Sequence, residues 1–483
     1  MGQVSLVVGQ AGTGKTTWLV DNVKVHAPKL LSSEHQGVLA ITRMHGARRR
    51  VELKLRESCP GVSCSIATID GFALSIVNRW RTALGYSKPI QSVSGEADFA
   101  ETIFGIEADF EKVLLAATEL LQNSIVNRIV GASYPLIVVD EFQDCHGSLL
   151  EFVRALSTCS TLVLAADEFQ LLDTSTVGCP AVEWVRELKC NGMAEITELA
   201  TCHRTSVRGV LEAARCLRDQ TQSNRVTVPV ICCPREGPAA WKIIERLVLS
   251  NSPWRGRTAL ICPSHDPFIQ KVLDSCSNQL RKKNLTPIQW HIEGSIEGEQ
   301  EQIRTSLGLA NSSSTTSSYW TTPTIALEPI ESNVVARSQR FARLRGMDNI
   351  PRALVERHVE TIIHQRRAYR AHTPARTVTT VHGAKNREFD NVFVLWAYKL
   401  QPDQVQQRRL LYNAITRTKS NCMVLVLGDV SRANNDPVLS LLGPAQAAFS
   451  PKTKSKKGRS SKKVNMSLAA RPEEIKVEHG ETD

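Results

Sequence analysis

Residues Gly9 to Thr16 read Gly-Gln-Ala-Gly-Thr-Gly-Lys-Thr, and this stretch constrains the fold more than any other part of the sequence. It follows an apolar run, Val4 to Val8, and precedes a segment with the composition of a helix. Glycines at its first and sixth positions let backbone N–H groups close around a phosphate group at the N-terminus of that helix. The stretch therefore predicts a strand, a phosphate-binding loop and a helix. A glycine-rich turn without a ligand is the alternative, which this context disfavours.

Two side chains at the end of the loop have predicted roles. Lys15 can reach the β- and γ-phosphate oxygens of a nucleotide, and the Thr16 hydroxyl can bind Mg²⁺. The predicted cofactor-binding residues of the loop are Gly9, Gln10, Ala11, Gly12, Thr13, Gly14, Lys15, Thr16 and Thr17.

Short apolar runs, each followed by polar residues, recur as far as about residue 200 and are typical of buried parallel strands. After Val4 to Val8 the predicted strands are Val38–Thr42, Ser63–Thr68, Leu136–Val139 and Thr161–Ala165. Helical periodicity around Phe110 to Leu121 predicts a small helical insertion at about residues 82–133. Residues 1–200 are thus predicted to form one α/β domain.

A second α/β domain is predicted at residues 201–449, so that a cleft lies between two tandem domains. Its predicted elements are strands Thr258–Cys262, Val392–Trp396 and Cys422–Leu427, the last strand of the chain, and a helix Pro267–Ser275. Residues 295–373 are poorly patterned and are predicted to be an insertion. Within it, the stretch from Glu331 to His372 holds nine arginines and four acids, which indicates either a solvated helix face or a contact with a nucleic acid or partner.

Composition bounds the class of protein. With 42% hydrophobic residues, 483 residues can bury two to three cores. No apolar run approaches the roughly 18–20 residues of a membrane span, and the N-terminus has no signal-peptide pattern, so we expect a cytoplasmic location without a membrane partner. Thirteen cysteines without a Cys-x-x-Cys pair argue against a disulfide framework and a zinc site.

The net charge of +11 and the pI near 9.1 indicate a polyanionic partner. Part of this charge lies in a Lys/Ser-rich segment at residues 450–483, which cannot bury a core and is predicted to be a disordered basic tail. The remaining excess must lie on the folded domains.

Two adjacent carboxylates end the apolar run from Leu136 to Val139. Asp140 and Glu141 are predicted to lie at the carboxyl edge of the sheet, where α/β folds bind ligands. Asp140 can then hold Mg²⁺ through its water shell, and Glu141 can polarise a water in line with the γ-phosphate. The alternative is that the carboxylates cap a helix, but this would explain only one of the two residues.

Seven segments, in order, resemble the motif series of the UvrD/Rep-type superfamily 1 helicases. They are Thr42, Thr68-Ile69-Asp70-Gly71-Phe72, Asp140-Glu141-Phe142-Gln143-Asp144, Asp167-Glu168-Phe169-Gln170, Cys202-His203-Arg204-Thr205, Val378 to Phe389, and Arg408 to Arg417. The resemblance implies two tandem RecA-like domains and a P-loop NTPase that uses ATP and Mg²⁺. Two departures are Asn386, where the family has glycine after its lysine, and Trp184, which is too far along the chain to match the family's base-stacking aromatic.

The resemblance also implies roles for individual residues. Gln170 would couple the γ-phosphate to the DNA site, Arg204 and Arg417 would be γ-phosphate fingers, and Lys15 and Glu141 complete the implied catalytic set. His203, in place of a tyrosine, would stack on adenine, and Glu388 would contact the ribose. The implied DNA contacts are Thr42, Arg43, Thr68, Asp70, Thr380 and His382.

We therefore expect an ATP-dependent helicase or translocase on single-stranded DNA, or on DNA with single-stranded tails, with 3′-to-5′ polarity by family resemblance. The leading alternative is an ATP-switched, DNA-sensing partner of a nuclease or repair protein, for example in phage defence, with little unwinding. An RNA helicase is a third alternative.

Overall fold

The computed structural model describes residues 2–43, 45–93, 96–102, 105–175, 178–251, 253–264, 267–294, 296–309, 319–323, 326–369, 374–396 and 403–449. Side chains are not described at 45–47, 296–297 and 364–369. The predicted basic tail at residues 450–483 and the polar run 311–318 lie outside the described residues. Within these ranges no helix is both long and apolar enough to cross a membrane.

The first lobe comprises the elements from Val4 to Leu199. In chain order they are β1 (Val4–Gly9), α1 (Lys15–Leu30), β2 (Val38–Thr42), α2 (His45–Ser58), β3 (Cys64–Thr68), α3 (Ile69–Arg79), β4 (Ile90–Val93), β5 (Ala100–Thr102), β6 (Gly105–Asp109), α4 (Phe110–Gln122), α5 (Ser124–Ser133), β7 (Leu136–Asp140), α6 (Ser148–Leu156), β8 (Thr161–Ala166), α7 (Pro180–Cys190) and β9 (Ala194–Leu199).

The first lobe is built on a parallel six-stranded sheet in the order β3-β2-β7-β8-β1-β9. Its central strands are apolar along their whole length and buried, because helices cover both faces. Parallel strands end at the same edge, which brings Thr42 opposite both Thr68 and Asp140 in the register. The phosphate-binding loop leaves β1 at that edge.

Two details of the first lobe differ from the sequence-based prediction. The insertion at 82–133 is not purely helical, because β4, β5 and β6 form a small three-stranded sheet ahead of the predicted helix. The edge strand β9 was not predicted. Its sequence, Ala-Glu-Ile-Thr-Glu-Leu, intersperses polar with apolar residues and so contains no apolar run.

The second lobe comprises the elements from Arg208 to Ala447. They are α8 (Arg208–Asp219), β10 (Val230–Cys233), α9 (Glu236–Ile244), β11 (Thr258–Cys262), α10 (Pro267–Arg281), β12 (His291–Ile292), α11 (Ile296–Ser306), β13 (Tyr319–Trp320), α12 (Pro329–Leu344), β14 (Ile350–Pro351), α13 (Arg352–Tyr369), β15 (Arg376–Thr380), α14 (Val381–Ala384), β16 (Phe389–Trp396), α15 (Gln404–Ile415), β17 (Thr418–Leu427), α16 (Val430–Asn435) and β18 (Gln446–Ala447).

A parallel seven-stranded sheet, ordered β12-β15-β11-β16-β17-β10-β18, forms the second lobe. The two parallel sheets confirm the predicted α/β fold. The prediction that the strand at Cys422–Leu427 is the last was wrong, since the two-residue strand β18 follows it and pairs with β10. Such a short edge strand carries no periodicity.

The predicted insertion at 295–373 contains more order than its pattern suggests. Helices α11, α12 and α13, with the hairpin of β13 and β14, enclose a separate small core around Trp320, Val334 and Val359. We call α11, α12 and α13 the accessory helices. The arginine-rich stretch thus contributes to α12 and α13, which each bury an apolar face, and Arg337, Arg340 and Arg343 of α12 are exposed.

We expect Trp320→Ala to destabilise the accessory helices without unfolding the first sheet. Trp320 is buried in their core, and its indole N–H donates to the Leu307 carbonyl at 2.7 Å. Truncating a buried tryptophan to alanine lowers the free energy of unfolding by about 3–5 kcal/mol. Hydrogen exchange of the full chain should show faster exchange at residues 296–369 alone, whereas equal acceleration in β1 and β7 would contradict a separate core.

Candidate nucleotide site and adjoining cleft

The loop between β1 and α1 has the conformation that phosphate binding requires. Gly12 and Gly14 adopt left-handed backbone angles, with φ of 81° and 88°, and Gly14 caps the start of α1. Such turns point successive backbone N–H groups into one concavity. At Gly12 a side chain is also excluded by its neighbours, because a Cβ atom would lie 2.5 Å from Cβ of Arg204.

Lys15 and Thr16 lie at the mouth of this loop beside acidic residues of neighbouring strands. The Lys15 ammonium donates to the Gly9 and Gln10 carbonyls at 2.9 Å and lies 3.9 Å from Asp167. Burial lowers its pKa, although nearby carboxylates oppose that shift. The Thr16 hydroxyl donates to Asp140 Oδ2 at 3.1 Å. Lysine, threonine and aspartate therefore converge at the edge of the first sheet.

The donor set fits Mg²⁺ bound together with a nucleotide. Thr16 and Asp140 present hard oxygen atoms at one point, and Mg²⁺ prefers oxygen ligands from one or two side chains, with phosphates and waters completing an octahedron. Among the described residues no group of three His, Cys, Asp or Glu side chains forms a metal cage. The site therefore suits a metal that arrives with phosphate.

Glu141 lies beside Asp140 in an uncommon backbone conformation. Its φ of 58° is left-handed, which costs a residue with a side chain about 1–3 kcal/mol and is typical of functional sites. Gln143 Nε2 donates to its carboxylate at 2.6 Å, and Gln143 Oε1 accepts from the Asp167 backbone at 3.0 Å. Burial opposes ionisation, but Lys385 and Arg50 outweigh it and lower the pKa of Glu141 to about 2. Its carboxylate is therefore ionised at neutral pH.

Arg50, on α2, is a residue of this site that the sequence analysis did not identify. Its Nη2 lies 3.6 Å from both Asp140 Oδ2 and Glu141 Oε1, farther than a hydrogen bond, and its buried Nε has no hydrogen-bond partner among the described residues. The guanidinium thus faces the carboxylates with donor capacity to spare. The only signal in the sequence is the run Arg48-Arg49-Arg50, and the run does not indicate which of the three arginines faces the carboxylates.

Residues that follow the first sheet contact the phosphate-binding loop directly. The His203 backbone N–H donates to the Gly12 carbonyl at 2.7 Å, and the His203 ring lies close to Gly14. From α15, the fully buried Tyr412 accepts from the Ala11 N–H at 3.0 Å and donates to Asp167 Oδ2 at 3.1 Å. The second lobe is therefore hydrogen-bonded to the loop that would hold the phosphates.

The two predicted arginine fingers have different surroundings. Arg204 donates to Glu388 at 2.8 Å and to the Thr416 carbonyl at 3.0 Å, so the predicted finger and the predicted ribose contact form an ion pair. Burial opposes the charge of Glu388, but Arg204 and Lys419 lower its pKa to about 2. The Nε and Nη1 atoms of Arg204 are therefore already engaged by acceptors of the second lobe.

Arg417 is buried and belongs to a chain of contacts between the lobes. Its Nη2 donates to Gln170 Oε1 at 3.0 Å, and Gln170 Nε2 donates to Asp167 at 2.9 Å. Burial and the charge of Arg204 lower the pKa of Arg417 to about 10, which leaves it charged at neutral pH. Two predicted catalytic residues from different lobes, Gln170 and Arg417, are thus in direct contact.

An open cleft of about 450 Å³ adjoins the nucleotide site. Its lining residues are Arg43, Asp144, Leu172, Asp173, Thr174, His382 and Lys385, so it includes two of the predicted DNA contacts. Lys385 makes a buried ion pair with Asp144, with an Nζ–Oδ1 distance of 2.7 Å, and Arg43 donates to the Asp144 carbonyl. Burial and Lys385 lower the pKa of His382, which favours its neutral form.

Two other predicted DNA contacts occupy equivalent places in the two lobes. Thr68 and Thr380 each end a strand and cap the next helix, accepting at 3.1 Å from the N–H of Gly71 and of Gly383. A threonine hydroxyl that accepts a capping bond keeps its hydrogen for donation to a ligand. The remaining two predicted contacts have different settings, since Thr42 is buried at the end of β2 and Asp70 lies in the first turn of α3.

Two departures from the family pattern have physical explanations. Asn386 has a φ of 65°, and asparagine tolerates this left-handed conformation better than most residues, so it can replace the family's glycine. Trp184 is buried in the first core, 6.1 Å from the Phe142 ring between centroids, which explains why it matches no base-stacking position.

Two family models match parts of the chain and agree with this architecture. Residues 1–176 match the family model of an AAA domain, and residues 376–425 match that of the UvrD-like helicase C-terminal domain. No curated protein matches the chain. One similar solved structure is the arterivirus nonstructural protein 10 (helicase) in complex with DNA, at 12% identity and a TM-score of 0.32. The aligned region covers 91% of this chain and 63% of that one.

The loop after β1, the carboxylates after β7 and the two parallel sheets define a P-loop NTPase with two RecA-like lobes. Residues 376–425 contain Thr380, His382 and Arg417, and thus include the region where the second lobe meets the nucleotide site. The two family matches, at residues 1–176 and 376–425, agree with the resemblance of the motif series to the UvrD/Rep-type helicases.

We expect Lys15→Ala and Glu141→Gln each to lower the rate of ATP hydrolysis by about 10²–10³-fold. Lys15 would contact phosphate, so its loss should also weaken ATP binding, whereas Glu141→Gln should still bind ATP because it changes only the group that accepts a proton. Phosphate release and binding of a fluorescent ATP analogue measure these effects separately. Near-normal turnover in either variant would remove that residue from the catalytic set.

We expect Arg50→Ala to lower ATP hydrolysis at least about tenfold, equivalent to roughly 1.4 kcal/mol, because Asp140 and Glu141 lose an adjacent cation. The matched control is Arg49→Ala, since Arg49 is exposed on the same helix. Equal turnover in the two variants at equal thermal stability would show that Arg50 is an ordinary surface arginine.

Proposed function

We propose that this protein is an ATP-dependent helicase or translocase on single-stranded DNA, with 3′-to-5′ polarity. The observation that carries the proposal is the contact of Arg417 with Gln170, which joins the second lobe to Asp167 beside Lys15. Hydrolysis would then depend on closure of the lobes, and closure is what a nucleic acid bound by both lobes would favour.

The chemical step would use the residues of the first sheet. Thr16 and Asp140 would hold Mg²⁺, which when bound would neutralise charge on the β- and γ-phosphates. Glu141 would orient the attacking water and accept its proton. Lys15, on the first lobe, and Arg417, on the second, would meet the charge that spreads over the γ-phosphate oxygens in the transition state. Arg204 would add a third positive charge after leaving Glu388.

The adjoining cleft would bind the strand. Arg43 can contact phosphate, and Thr68 and Thr380 present equivalent hydroxyl groups from the two lobes, as a strand that crosses from one lobe to the other requires. Lys385 links this cleft to the nucleotide site, because its ion-pair partner Asp144 follows Glu141 by three residues. Movement of the lobes would therefore change both sites together.

We expect Arg417→Ala to abolish the stimulation of ATP hydrolysis by single-stranded DNA while ATP binding and DNA binding persist. The lost group would stabilise the transition state, and such an arginine contributes on the order of 10³-fold or more. Titrations of each ligand alone, with turnover measured at saturating DNA, separate these quantities. A variant that unfolds at lower temperature yet hydrolyses ATP normally would show that Arg417 only stabilises its own lobe.

The same assay separates the alternatives. Strong stimulation of the wild-type protein by single-stranded DNA supports the motor, and translocation on strands of defined polarity then tests the 3′-to-5′ direction. Stimulation by RNA in preference to DNA would indicate an RNA helicase. Hydrolysis that responds to a nuclease partner and hardly to DNA would instead indicate an ATP-dependent switch.

A further inference from the structure

A second cleft, of about 690 Å³, lies between the accessory helices and the first lobe. Helices α12 and α13 form one wall, and α3 and β4 form the other. Three arginines line it, Arg337 and Arg340 on α12 and Arg357 on α13. We call it the arginine cleft; it shares no lining residue with the cleft beside the nucleotide site.

Positive charge is concentrated in the arginine cleft. Arg337 and Arg340 are exposed and three residues apart on one helix, so they share a face and repel each other. Arg357 pairs with Glu107 of the first lobe, which is the one salt bridge that joins a lining arginine to the opposite lobe among the described residues. Burial, with Arg337 and Arg357, lowers the pKa of His358 to about 4, so that side chain is neutral near pH 7. An anionic ligand would relieve the repulsion between the arginines.

Apolar side chains are interleaved with these charges. Phe341 and Leu344 line the same cleft as Arg337 and Arg340, and Leu344 is 77% exposed. The Phe341 ring is already engaged, since the Arg345 guanidinium lies over it at 5.4 Å from its centroid and the His358 ring meets it edge-on at 6.0 Å. Guanidinium groups that line a groove are typical of surfaces that bind the phosphates of single-stranded nucleic acid. An acidic peptide would use the same arginines, but it would not account for the position of the cleft beside the predicted path of the strand.

The arginine cleft adjoins the predicted path of the strand. Leu74 of α3 lines it, and α3 begins directly after Thr68, one of the proposed nucleic-acid contacts. Six residues of helix advance about 9 Å, so the two sites lie little more than one nucleotide apart along α3. The volume of the cleft is that of a small-ligand pocket, which suits one or two unpaired nucleotides and not a duplex.

We propose that the arginine cleft binds a segment of single-stranded nucleic acid that continues beyond Thr68, with phosphates against Arg337 and Arg340. This inference rests on the proposed function, since it extends the same strand. It gives the accessory helices a role as one wall of the strand's path, and it explains why their arginines face the first lobe as well as solvent.

The test compares the double variant Arg337→Ala/Arg340→Ala with Arg343→Ala. Arg343 lies one turn beyond Arg340 on the same exposed helix but does not line the cleft, so it is a matched control. Binding of labelled oligothymidylate of roughly 16 and roughly 6 nucleotides is measured by fluorescence anisotropy over a range of salt concentrations. Melting temperature and ATP hydrolysis without DNA check that each variant is folded.

We expect the double variant to bind the long oligonucleotide about tenfold more weakly at low salt and the short one normally. The slope of log affinity against log salt should fall in magnitude by about 1.4, which corresponds to two phosphate contacts of a single strand. Arg343→Ala should resemble the wild type.

Three results would overturn the inference. An unchanged affinity and slope in the double variant, with wild-type DNA binding intact, would overturn it and leave the proposed function standing. If the double variant lost binding to poly-glutamate but kept binding to oligothymidylate, the cleft would be assigned to an acidic protein segment. Failure of the wild-type protein to bind any oligonucleotide would overturn the inference and the proposed function together.

Discussion

Three buried carboxylates at the carboxyl edge of the first sheet set the condition on which the rest of the structure depends. Asp140 is 3%, Glu141 7% and Asp167 0% exposed. A buried anion is costly unless cations and hydrogen-bond donors surround it. Lys15 and Arg50 supply two cations from the first lobe, but Arg218 at 2.7 Å from Asp167 and Lys385 beside Asp144 come from elements that follow the sheet. Charge compensation therefore draws the two lobes together around the site.

This arrangement gives nearly every cation of the site a partner that a nucleotide could replace. Lys15 donates to loop carbonyls, Arg204 to Glu388, and Arg417 to Gln170. Phosphate oxygens accept the same kinds of hydrogen bond and carry more charge. If these cations exchanged their partners for phosphate oxygens, contacts between the lobes would change as well as contacts within the loop. This follows because Gln170 lies on the first lobe and Arg417 on the second. Such an exchange is a physical means of coupling hydrolysis to lobe movement.

The sequence predicted the parts of the fold whose signal is local. Strands buried on both faces appear as apolar runs, and β2, β7, β8 and β11 lie where those runs are. It missed the edge strands β9, β12 and β18 and the small sheet in the first insertion, because half-exposed or very short strands depend on a neighbour for their hydrogen bonds. It also missed β10 and β15, which are interior strands of the second sheet. The accessory helices were also poorly predicted, since their core is assembled from four separate segments.

By itself the sequence determined the phosphate-binding loop, the carboxylate pair Asp140-Glu141 and the order of the family motifs, because each lies in a few consecutive residues whose chemistry is readable without neighbours. Only the tertiary structure decided that Arg50 faces those carboxylates, that Tyr412 bonds Ala11, that Arg204 pairs with Glu388 and that Lys385 pairs with Asp144. These partners are separated by between about 90 and 400 residues in the chain. Their contacts follow from how parallel strands align their carboxyl ends and from the need to compensate buried charge, and neither is visible in local spacing.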